Sequence, residues 1–208
     1  MEDFSLCKSE PLISRQLRMM GWIPLVFLGL HFYTHWERDT LGHILWWCHM
    51  ANLILSIGWM CASPGLIRIA VLWLIPGLPL WILDASQTGD WSVSSGLTHF
   101  GGLVMGLFLL RRVRAARWAW LHAFIPGFVL QQISRWATAA ELNVNIAHGM
   151  REGWEEVFSS YWQYWLFTTL GILAALWGVN KVLQFTFPQQ LDERKDHGID
   201  SGPQNQTG

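Results

Sequence analysis

Long apolar segments that carry almost no charge alternate along this chain with short clusters of Arg, Asp and Glu. A charge at the centre of a bilayer costs several kcal/mol, so this alternation is what membrane insertion selects. Only 14% of residues are Asp, Glu, Lys or Arg and 51% are hydrophobic. A soluble domain carries roughly 25% charge. The pattern predicts an all-α, polytopic integral membrane protein with six transmembrane helices.

The predicted spans cover residues 18–36, 41–62, 66–84, 94–110, 118–137 and 157–183. Each is near the ~20 residues that cross a ~30 Å hydrocarbon core. Pro76, Gly77 and Pro79 predict a kinked or broken third span. Residues 85–93 and 138–156 form the polar loops. One membrane domain, 17–187, is expected between an N-terminal tail, 1–16, and a disordered C-terminal tail, 188–208. The first apolar run lacks a small-residue cleavage site and ends in His31-Phe-Tyr-Thr-His35-Trp36, so it reads as a retained helix.

Basic residues set the orientation. With the N-terminus inside, eleven Lys and Arg residues fall on the inner side, and Arg38, Arg135 and Arg151 on the outer. Both termini are then cytoplasmic, and the inner membrane of a bacterium is the expected location. The 15 tryptophans include Trp22, Trp36, Trp46, Trp47, Trp91, Trp118, Trp120, Trp136, Trp154 and Trp162 at predicted span ends, where indole anchors to the interface. A formal net charge of -1 gives no sign of nucleic-acid binding. Cys7, Cys48 and Cys61 form neither an even set nor a CxxC pair, which argues against disulfide or thiol-redox chemistry.

Threaded onto this topology, the polar residues collect in one layer at the outer leaflet. His31 and His35 end the first span, while Cys48, His49 and Asn52 lie in the outer half of the second. Asp84 ends the third, Ser95 and His99 begin the fourth, and Gln131, Gln132 and Arg135 close the fifth. Asn143, Asn145 and His148 follow in the outer loop, and His122 lies deeper. His31 and His35, Cys48 and Asn52, and Ser95 and His99 are each spaced i,i+4, on one helical face.

Three classes of chemistry remain open. Cys48 as nucleophile, His99 as its base, and Asp84 or Asn52 as orienting group would transfer an acyl chain from a membrane lipid. His49, Ser95, His122, Arg135 and Asn145 are then candidate substrate-binding residues. Alternatively, His31, His35, His49 and His99 together with Asp84 offer ligands for zinc, whose bound water would hydrolyse an ester or amide. Ser95-xxx-His99 and His31-xxx-His35 are similar to patterns in the ceramidase-like membrane hydrolases, in a different chain order. The third class is non-catalytic: a small-molecule binder, a transporter, or a subunit that packs against protein partners or its own copies.

Further motifs are Trp47-Cys48-His49-x-Ala51-Asn52, Pro79-x-Trp81-x-x-Asp84, Gly96-x-Thr98-His99, His122-x-x-x-Pro126 and Asn143-x-Asn145. Their order resembles a group of bacterial polytopic membrane proteins of unassigned activity, whose members often have Asp where His49 and His99 stand. More remotely, residues from about 41 to 185 resemble the YwaF-like family. That family includes a cysteine-dependent phospholipid acyltransferase. The resemblance implies Cys48 as nucleophile and His99 as its partner.

Overall fold

The structure is a computed structural model that describes residues 13–188. Cys7, most of the expected N-terminal tail, and all of the expected C-terminal tail after residue 188 lie outside the described residues. Among the described residues the chain is all-α. It comprises α1 (Arg15–Met19), α2 (Trp22–Glu37), α3 (Trp47–Met60), α4 (Pro64–Thr88), α5 (Val93–Gly96), α6 (Gly102–Val113), α7 (Ala119–Ala137) and α8 (Tyr161–Thr186). A π-helical turn, Leu97–Gly101, joins α5 to α6, and a 3-10 turn, Leu41–Leu45, precedes α3.

Three helical stretches are long and apolar enough to cross a membrane: Pro64–Thr88, Val93–Val113 and Tyr161–Thr186. They mark the chain as an integral membrane protein. The other expected spans hold shorter or more polar helices. α2 has 16 residues, α3 has 14, and α7 has 19 but carries Gln131, Gln132 and Arg135.

α4 is the axis of the bundle. Ile67 and the run Ile69–Leu74 are all buried, so this stretch is covered on every side rather than along one stripe. α3, α6, α7 and α8 surround it. Of the kinked or broken helix expected at Pro76, Gly77 and Pro79, the break does not occur: α4 continues as a single helix through all three and is closed at Gly89, whose φ is +74°. Neighbouring helices tolerate the missing N–H groups, as they do in membrane bundles generally. At the corresponding point in α7, near Pro126, the Trp73 indole N–H donates to the Ala123 carbonyl at 2.9 Å.

Small residues set the close approaches, because apolar burial gives little drive between helices already in lipid. A Cβ on Gly58 would lie 2.8 Å from Leu66 Cβ and 3.0 Å from the Ile67 nitrogen, so α3 and α4 meet nearly backbone to backbone. Gly106 of α6 packs on Val71, and Gly127 of α7 lies beneath the Trp47 ring. At the other end of the bundle, Arg68 donates to the Val113 and Arg114 carbonyls, both at 2.8 Å, and covers the C-terminus of α6. Asn180 donates to the Ala116 and Arg117 carbonyls and ties α8 to the same turn.

The loop between α7 and α8 is held from within. Asn143, at φ +39°, accepts from the His148 and Gly149 backbone N–H groups. Asn145 reaches further. Its amide N–H groups donate to the Leu45 carbonyl and to Ser134 Oγ, both at 2.8 Å, and its Oδ1 accepts from the Trp47 backbone N–H at 3.2 Å. A loop almost 100 residues away in sequence thereby sets where α3 begins.

Candidate metal centre

Four imidazoles meet where α2, α3 and the π-turn converge. His31 and His35 stand one turn apart on α2, and their Nε2 atoms are 3.1 Å apart. His49, near the start of α3, packs edge-on against His31 with ring centroids 4.4 Å apart. His99, in the π-turn, lies 5.6 Å from His49 by centroid and stacks on Trp81 at 4.7 Å and 13°. All four rings are buried.

Each ring has its Nδ1 taken by an oxygen. His31 Nδ1 meets Ser94 Oγ at 3.1 Å, and His35 Nδ1 meets Thr40 Oγ1 at 2.8 Å. His49 Nδ1 meets the His43 carbonyl, and His99 Nδ1 meets the Ser95 carbonyl, both at 2.8 Å. A carbonyl oxygen only accepts, so His49 and His99 carry their proton on Nδ1 and present Nε2 as a bare lone pair. His99 Nε2 is buried with no hydrogen-bond partner. The two Nε2 atoms of His31 and His35, at 3.1 Å, must share either a proton or a cation.

This is how proteins hold metal-ligating histidines. The outer nitrogen donates to an oxygen, which fixes the tautomer and aims the inner nitrogen. One donor atom each from His31, His35 and His49 falls within 4.8 Å of the other two, and the same holds for Cys48, His49 and His99. With Zn–N bonds of about 2.0 Å, tetrahedral ligands sit about 3.3 Å apart. The His31–His35 separation is close to that value.

The remaining sequence candidates are distributed around this centre. Asn52 uses its amide N–H groups on the backbone, donating to the Cys48 and Thr98 carbonyls, both at 2.9 Å, while its Oδ1 is buried without a hydrogen-bond partner. The Thr98 bond reaches the π-turn, and the Asn52 side chain fills the space beside Gly102. Ser95 meets His99 through its carbonyl. Asp84 ion-pairs with Arg151 at the surface, where both side chains are about half exposed. Arg135 donates to the Ala147 carbonyl at 2.7 Å and to the Tyr161 hydroxyl. Arg135 and Asn145 therefore brace the loop that supports α3. His122 is exposed in the first turn of α7, about 18 Å along the helix from Ser134 at 1.5 Å per residue.

Four contributors escaped the sequence reading: Ser94, Thr40, His43 and Ser134. The first three supply the oxygens behind three imidazoles, one of them through a backbone carbonyl. Isolated serine and threonine residues carry no signal of their own, and a carbonyl carries no residue signal at all.

No protein-family model, no curated protein and no solved structure matches this chain.

Proposed function

We propose that the protein is a membrane metalloenzyme that binds a zinc-class ion through His31, His35 and His49 and hydrolyses an ester or amide bond of a membrane lipid. The observation that carries this reading is the shared hydrogen-bond pattern of the four buried imidazoles, each with Nδ1 engaged by oxygen. Three histidine ligands leave one position open, the arrangement of a catalytic rather than a structural zinc. An ion held there would supply the Lewis acidity that makes a bound water a nucleophile. His99, beyond His49 with an unpartnered Nε2, is the group suited to take its proton.

The proposed setting is the outer leaflet of a bacterial inner membrane, with six crossings and both termini in the cytoplasm. The eleven-to-three excess of basic residues on one side supports that orientation. α2, which supplies two of the ligands, exposes apolar side chains such as Val26, Leu30 and Phe32, the face along which a lipid would approach.

A second reading rests on a separate observation: Cys48 offers a sulfur within 4.8 Å of the His49 and His99 donor atoms. Acyl transfer through a Cys48 thioester would use His99 as base. It would draw an orienting group from the Ser95 carbonyl, which meets His99 Nδ1 at 2.8 Å.

Elemental analysis of the purified protein separates the two. The metal reading expects about one equivalent of zinc in the purified wild type, and loss of fatty-acid release from mixed-phospholipid vesicles in a His31→Ala/His35→Ala variant. Full turnover by metal-free protein, abolished by Cys48→Ser, would establish the thiol reading instead.

A further inference from the structure

The two donor triads of the centre have one member in common. His31, His35 and His49 form one, and Cys48, His49 and His99 form the other. They lie on different sides of α3: His49 packs against the α2 histidines, while Cys48 faces α4, where a Cβ on Gly77 would lie 3.3 Å from Cys48 Cβ. His49 has a single nitrogen free to ligate, because its Nδ1 proton is held by the His43 carbonyl at 2.8 Å. One lone pair cannot serve two ions at bonding distance.

We infer that the centre has two alternative metal positions that share His49, an all-imidazole position toward α2 and a thiolate-containing position toward α4. This rests on the metal-binding reading above and assigns a second site within it. Thiolate is a soft ligand, so the Cys48 position favours zinc, cadmium or cuprous ion over harder cations. Binding there releases the Cys48 proton to solvent, since only the thiolate ligates. It also occupies His99, the group left free when the ion sits between His31 and His35. The second position is thus a resting or inhibited one, and a soft ion in excess holds the centre in it.

His99 supplies the independent support. Its Nε2 is buried and unpartnered, and in the neutral ring it is a lone pair, because Nδ1 donates to the Ser95 carbonyl. A bare lone pair kept from water is costly unless something is there to accept it.

Cobalt(II) titration of the full chain in detergent tests this. Cobalt in an imidazole site shows visible d–d bands, and a thiolate ligand adds a sulfur-to-cobalt charge-transfer band in the near ultraviolet. The expected result is both features in the wild type at a single equivalent of cobalt. Cys48→Ser should lose the charge-transfer band and keep d–d absorption, and His31→Ala/His35→Ala should keep the charge-transfer band. Visible bands without any thiolate band in the wild type would overturn the second position while leaving the three-histidine centre intact. A thiolate band that survives Cys48→Ser would also overturn it. No cobalt uptake by the wild type would end the metal-binding reading itself. X-ray absorption of zinc- and cadmium-loaded wild type needs no variant to fold. A sulfur scatterer that grows from zinc to cadmium is expected, and its absence with both ions counts against the second position.

Discussion

Thr40 shows how much a single hydroxyl can decide. Its Oγ1, 2.8 Å from His35 Nδ1, holds that ring so that its other nitrogen meets His31. Removing the oxygen behind a ligating histidine typically costs roughly 10- to 100-fold in metal affinity. Thr40→Val should therefore weaken zinc binding by about that factor without unfolding the protein, as checked by competition with a chromophoric chelator. Unchanged affinity would mean that His35 is not a ligand. Acidification should act in the same direction on all four rings, because a protonated imidazole has no lone pair to offer. Zinc should thus be released by acid strong enough to protonate the buried rings, and zinc retained under conditions that protonate all four would exclude imidazole ligation.

Helices bring these residues together by how closely they approach and how they are rotated. α3 and α4 meet at Gly58, where an added methyl would collide with Leu66 Cβ and the Ile67 backbone. Overpacking of this kind costs about 1–3 kcal/mol. Gly58→Ala should lower thermal stability in detergent by that order, and Gly178→Ala, with open space around its Cβ, should not. The rotation of α3 is set at its N-terminus by Asn145, through Leu45, Trp47 and Ser134. Asn145→Ala leaves the Trp47 N–H without its side-chain partner, and an unmet buried donor costs about 1–3 kcal/mol. Loss of zinc and loss of stability should therefore appear together in this variant. His122→Ala, at the far end of α7, should show neither.

For the molecule as a whole, two ion pairs link surface segments, Arg38 with Asp90 and Arg151 with Asp84. Both are exposed, and such pairs contribute little to stability. Their effect is to hold the α2 end, the α4–α5 loop and the α7–α8 loop in register. The proposed orientation is open to a direct check. Reporter fusions at either terminus should respond only from the cytoplasmic side, and an external response from one of them would remove the six-span topology.

Local pattern alone determined the class of this protein. Uncharged apolar runs of about 20 residues admit few structures in lipid other than helices, since every backbone N–H and C=O must be paired within the segment. His31 and His35 were legible as a pair for the same reason, because i,i+4 spacing places two side chains on one helical face whatever surrounds them. His49 was legible only as a polar residue at the right depth. Its direction depends on where α3 starts and how it is turned, and those bonds come from a loop 98 and 100 residues away. Tertiary structure likewise decided that Asn52 and Asp84 have other partners and that Ser95 acts through its carbonyl. Periodicity describes one helix at a time, whereas a metal centre is built from the rotation of several helices about one another.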